Sequence, residues 1–141
     1  MILHFNYEEL TALKAGAKAF LSHEEEPGHG RVLAPSEERA QVEALLPRLD
    51  GDISLSTLEE LRAVETAVVA IVHCLRVEME TTVVTTHAAD ESAVAAYFDF
   101  AHGFTVAHRL AETASEMEAL VELVTGSPPT REVARSFRFP D

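Results

Sequence analysis

The stretch STLEELRAVETAVVAIVHCLRVEME, Ser56 to Glu80, decides the fold. Within it Leu58, Leu61, Val64, Val68, Ile71, Leu75 and Met79 recur at steps of three and four, which places them on one stripe of a 3.6-residue helix. Such a stripe leaves water only by packing against other elements. From Ala67 to Val72 the pattern is apolar on every side, which predicts a central helix enclosed by several neighbours. Ser56 followed by Glu59 has the spacing of a capping box and predicts the helix start.

A second long pattern runs from Asp90 to about Thr125 and changes phase partway. Val94, Tyr97, Phe98, Ala101 and Phe104 share one face, whereas Val106, Leu110, Met117, Val121 and Val124 lie roughly opposite, with Gly103 at the switch. Either the helix kinks at the glycine or a straight helix touches one layer with its first half and another layer, or another subunit, with its second. The straight helix is the expected form. The later stripe is spaced like a heptad seam but is too short to specify a coiled coil.

Outward from this pair, Asn6 with Glu9 predicts a helix start, followed by an apolar face of Leu10, Leu13, Ala17, Phe20 and Leu21 that ends near Ser22. The segment 23–35, with consecutive glutamates, Pro27, Gly28 and Gly30, reads as a flexible loop. Ser36 opens a second short helix carrying Val42, Leu45, Leu46 and Leu49, which Pro47 should end or bend. Asp50-Gly51-Asp52 is a turn. Thr81 to Thr86 is β-branched but lies between two helical patterns, so it reads as the fraying end of the long helix rather than a strand. Past Gly126, Ser127, Pro128 and Pro129 stop the last helix. Residues 127–141 are expected to form an extended strap that buries Phe137 and Phe139 on one side and exposes Arg138, on this subunit or a neighbour.

These elements predict one all-α domain over 1–141: an antiparallel bundle of about four helices built on a long hairpin (about 56–80 and 90–125), with two shorter N-terminal helices and an extended C-terminal tail. The chain's 47% hydrophobic content suffices for a core. The hairpin carries more apolar faces than two short helices can cover, which predicts a symmetric homodimer.

A net charge of -13 opposes every phosphate approach and excludes nucleic acid and anionic membranes as partners. No apolar run approaches the ~20 residues that span a bilayer, and the N-terminal residues lack a basic leader, so a cytoplasmic location is expected. The single cysteine, Cys74, reads as an inert thiol within the apolar helix.

Histidine is the residue type most worth searching for metal or proton chemistry near neutral pH. Asp99 and His102 stand three apart on one helix, the spacing at which a carboxylate and an imidazole can share a metal, but no matching pair occurs on the other long helix. His108 and Glu112 stand four apart and continue the face of Tyr97 and Phe104. These four residues are the candidate ligands for a divalent metal, with an ordinary ion pair as the bland alternative. His73 falls opposite the main stripe, in line with Arg62, Arg76 and Glu80, while His4, His23, His29 and His87 sit near the terminus, in the loop or at the polar break. Gly28-His29-Gly30-Arg31 lacks the spacing of a phosphate loop and leaves Arg31 as a weak anion candidate. No serine has a nucleophile-elbow setting, and His73 points away from the adjacent Cys74. Two functions are therefore expected in order: a non-catalytic, homo-oligomeric interaction or scaffolding module without a cofactor, and a metal- or small-ligand-binding bundle, an enzyme only as a special case of the second.

Overall fold

The computed structural model describes residues 1–23, 35–85 and 90–140. Helix α1 (Tyr7–His23) begins where the sequence placed it. Asn6 Oδ1 accepts from the Glu9 N–H at 2.8 Å while Glu9 Oε1 accepts from the Asn6 N–H at 2.9 Å, so two orphan donors of the first turn are satisfied reciprocally. Helix α2 (Pro35–Leu45) gives way at Leu46–Arg48 to a single tight turn containing Pro47, whose missing N–H forbids another α-helical bond.

The two long patterns are helices α3 (Leu58–Thr85) and α4 (Glu91–Thr125), and they pack against each other. Helix α3 is central, with α1, α2, α4 and a short C-terminal helix α5 (Arg131–Ser136) all resting on it. Leu58, Leu61, Val64, Val68, Ile71 and Leu75 are buried as predicted, though Val69 on the same turn is exposed, so the enclosure is incomplete. The cap of α3 differs from the expected Ser56–Glu59 pair by one residue. Thr57 Oγ1 accepts from the Glu60 N–H at 3.2 Å, and Glu60 Oε2 accepts from the Ser56 N–H at 2.6 Å. Glu59 is thereby released to pair with Arg135 of α5 at 2.7 Å. Within Thr81–Thr85 the helix stays regular, with Thr82 and Thr85 hydroxyls donating to carbonyls four residues back; of the expected 23–35 loop, His23 instead ends α1 and Pro35 opens α2, while residues 24–34, Arg31 among them, lie outside the described residues, as do Thr86 and His87.

Helix α4 is continuous through Gly103; its second half buries Val106, Leu110 and Val121 and half-buries Met117 as expected, with Val124 exposed, but its first half does not bury the expected large apolar residues. Ala93, Ala96, Phe100, Gly103, Ala107, Leu110, Ala114, Met117 and Val121 form one unbroken stripe at steps of three and four, all buried or half-buried. No change of layer occurs. A Cβ on Gly103 would lie 3.0 Å from Leu75 Cδ1 and 3.3 Å from Val72 Cγ2, so the small residues let the α3 and α4 backbones approach. Gly16 plays the same part from α1, where a Cβ would meet Ile71 Cγ2 at 2.6 Å and Leu75 Cγ at 2.8 Å. Leu75 is thus wedged between two helices that yield space to it. Val94, Tyr97, Phe98 and Phe104, expected in a buried layer, are exposed.

Two features fall below the reach of periodicity. Strands β1 (Ile2–Leu3) and β2 (Ile53–Ser54) pair antiparallel, Ile2 opposite Ser54 and Leu3 opposite Ile53, and are too short for an alternating pattern to register. The tail, expected to be extended throughout, is helical over Arg131–Ser136 because the Thr130 hydroxyl accepts from the Val133 N–H and caps it. Beyond α5 it does run as a strap on its own subunit: Arg138 bridges to Thr57, the Phe139 N–H donates to the Ser56 carbonyl at 2.8 Å, and Phe139 is buried while Phe137 is half-buried and Arg138 exposed.

Candidate functional site

Two different surfaces of α4 carry the residues of interest. The first faces α1. Arg109 reaches across to Glu9 with two donors, Nη1 to Oε2 at 2.9 Å and Nη2 to Oε1 at 3.1 Å, and Nη2 also donates to the His4 carbonyl at 3.1 Å. Glu9 is only 4% exposed, so its charge is held out of water by α1 and α4 together. Burial is the largest influence on its carboxyl and pushes it up. The Arg109 hydrogen bonds, the Asn6 N–H and the charges of Arg109 and His102 together outweigh burial and leave the group below the usual glutamate range. The pair is a clamp between the first and last long segments of the chain. Its sequence signal was Arg109 itself, the only lysine or arginine between Arg76 and Arg131.

His102 stands between this clamp and Asp99, acting on both carboxylates through space. Asp99 is half-buried and has no hydrogen bond or ion pair among the described residues; burial raises its carboxyl above the ordinary range, against a smaller opposing pull from His102. An ionised carboxylate whose folded-state pKa is raised subtracts stability above that pKa, and the penalty fades as pH falls and the folded state takes up its proton. Asp99→Asn is therefore expected to raise the thermal midpoint at neutral pH. The gain should shrink as pH falls into the carboxylate range, and melting curves at several pH values check both the sign and the window.

The second surface faces away from α3. His108 Nε2 lies 3.1 Å from Glu112 Oε1, with side chains 68% and 66% exposed. The structure brings Asp99 to His102 and His108 to Glu112 but does not join the two pairs, because they lie on different sides of α4. Nor do three or more histidine, cysteine, aspartate or glutamate side chains gather in a metal-binding group among the described residues. His73 is exposed on α3, His4 Nδ1 pairs with Asp52 at 2.9 Å in a solvated setting, and Cys74 is buried. His29 and His87 lie outside the described residues, as does the side chain of His23.

Along the same outward side as His108 lie Val94, Tyr97, Phe98, Ala101, Phe104 and Thr105. Tyr97, Phe98 and Phe104 are 56%, 53% and 56% exposed. Tyr97 and Phe98 meet edge to face with centroids 5.7 Å apart, and Phe104 tilts against the half-buried Phe100 at 5.9 Å. From Ser92 to His108 the only aspartate, glutamate, lysine or arginine is Asp99, which sits on the other flank. A charge-free aromatic stripe about four turns long is unusual on a chain of net charge -13. Chemically it offers apolar contact area and two polar tips, the Tyr97 hydroxyl and the His108 imidazole. No described helix is long and apolar enough to cross a membrane. Compared with known protein families, curated proteins and solved structures, the chain matches none.

Proposed function

We propose that the protein is a small, non-catalytic cytoplasmic module that works through protein contact and assembles with itself. The observation that carries this reading is the exposed Val94-Tyr97-Phe98-Phe104 stripe. Three aromatic side chains each more than half exposed present about 300 Å² of apolar surface, as much as the largest patch on many monomers. The chain's like charge opposes association everywhere else, and this stripe is where two copies meet with least repulsion. The metal-binding alternative has weaker support, since its two pairs of candidate ligands stay apart.

Light scattering of purified protein is expected to give a mass above that of one chain at micromolar concentration, rising with protein concentration. Added salt should strengthen the association by screening the flanking carboxylates. Phe98→Glu places a carboxylate in the stripe and should weaken association at least tenfold, about 1.4 kcal/mol, without loss of helicity. A monomer at micromolar concentration in both low and high salt would overturn the proposal.

A further inference from the structure

Resting on that self-association reading, we infer that the occupant of the α4 stripe is a second copy of the same stripe, packed antiparallel across a twofold axis at Ala101. A phenylalanine stands three residues to either side of this alanine, Phe98 before it and Phe104 after it. With Ala101 facing its own counterpart, Phe98 opposes Phe104 of the second copy, Tyr97 opposes Thr105, and Val94 opposes His108. A twofold contact requires this reciprocity, in which each residue meets the residue that meets it in return.

The small residue stands where two helices come closest, and the bulky ones flank it on both sides, as knobs beside a hole. Polar groups are also provided for. The Thr105 hydroxyl already donates to the Ala101 carbonyl at 3.0 Å, so its lone pairs are left to accept from the Tyr97 hydroxyl of the second copy.

Charge and area single out a second copy as the occupant. The segment from Val94 to Thr105 presents no ionised group on this side, while Glu91 and Glu112 mark the two ends of the stripe. A cationic partner would find nothing to pair with in the centre, whereas an identical neutral stripe meets no repulsion there. The aromatics contribute about 300 Å² per copy, and Val94, Thr105 and His108 bring the covered surface toward the ~600 Å² per subunit at which specific interfaces begin. The dimer is thus small and reversible.

Site-directed cross-linking tests the geometry. Ala101→Cys puts two thiols at the axis, within the Cβ separation of ~4 Å that a disulfide needs. Ala119→Cys is exposed on the same side of α4, eighteen residues further along. That is five turns and ~27 Å from the axis, so in an antiparallel dimer its counterpart is ~54 Å away. Mild oxidation at micromolar concentration is expected to convert most of the Ala101→Cys protein to covalent dimer and little of the Ala119→Cys protein, with the unsubstituted chain, whose Cys74 is buried, as the blank. Circular dichroism of both variants establishes that each is folded. Cross-linking of both variants would mean a parallel pair and overturn the twofold arrangement. A dimeric mass with neither variant cross-linked would place the interface elsewhere and overturn this inference while leaving self-association standing. A monomeric mass would overturn both.

Discussion

Leu75→Ala is expected to lower stability by about 2–5 kcal/mol, the range for removing a buried leucine. Leu75 is nearly inaccessible and occupies the point where α1 and α4 converge on α3. It is the one side chain that would touch a Cβ at both Gly16 and Gly103. Truncating it leaves a void that three helices border and that rigid backbone limits from closing, which argues for the upper part of the range. Urea unfolding should show a lower midpoint with an unchanged slope. The glycine supplies a sharper form of the same test. On an open helix Gly→Ala gains about 1 kcal/mol in propensity. At Gly16 the new methyl would lie 2.6 Å from Ile71 Cγ2 and 2.8 Å from Leu75 Cγ, neither of them the far end of a flexible chain. Overpacking of about 1–3 kcal/mol should therefore outweigh propensity, and Gly16→Ala should destabilise. In the Leu75→Ala background part of that clash is gone, so the two changes should couple; strict additivity would mean that Leu75 is not what constrains Gly16.

Arg109→Met is the second large effect. Removing one member of a buried ion pair leaves the other charge uncompensated, at a cost of about 3–5 kcal/mol when both are deeply buried. Glu9 is buried, but the Arg109 side chain is 44% exposed and water can partly replace it, so the expected loss is about 1–3 kcal/mol. The pH dependence gives a second readout. In the intact protein the Glu9 carboxyl lies below its unfolded value, so its contribution is present above the unfolded pKa and is lost as pH falls through the folded pKa. Without Arg109, burial meets less opposition and the carboxyl moves up. The part of the acid-side loss that comes from Glu9 should shrink, and stability against pH should flatten on that side. In the double variant Glu9→Gln with Arg109→Met no charge is stranded, and stability should recover relative to Arg109→Met alone. An Arg109→Met protein as stable as the parent at neutral pH would show that the clamp contributes nothing.

Much of this fold was legible in the chain because its signals are local. Asn6 and Glu9 form their capping box within one turn, and the Leu58-to-Leu75 stripe needs only helical geometry to announce a buried face. The first half of α4 departs from its periodicity for a reason that is also physical. Periodicity weighs side chains by hydrophobicity, so Tyr97, Phe98 and Phe104 outscored Ala93, Ala96 and Gly103. Close helix packing selects for the absence of side chain, and that criterion ranks the same residues in reverse. The shift of the α3 cap from Ser56 to Thr57 has a related origin: two adjacent hydroxyl residues stand before two adjacent glutamates, and contacts with the tail, at the Ser56 carbonyl and at Glu59, come from a segment some 80 residues away.

Of the candidate site, the sequence supplied Asp99, His102, His108 and Glu112 and their spacing on one helix. It did not supply Arg109 as the partner of Glu9, since a contact across 100 residues leaves no periodic trace.

What the sequence by itself determined is the helical class and the pair of long helices, because both follow from backbone hydrogen bonding and the local alternation of apolar and polar residues. Which side of the first half of α4 is buried, where Glu9 finds its counter-charge and where the tail lies were decided only by the tertiary structure. Those outcomes depend on how closely separate helices can approach, and the distance between two helices is a property of both surfaces at once.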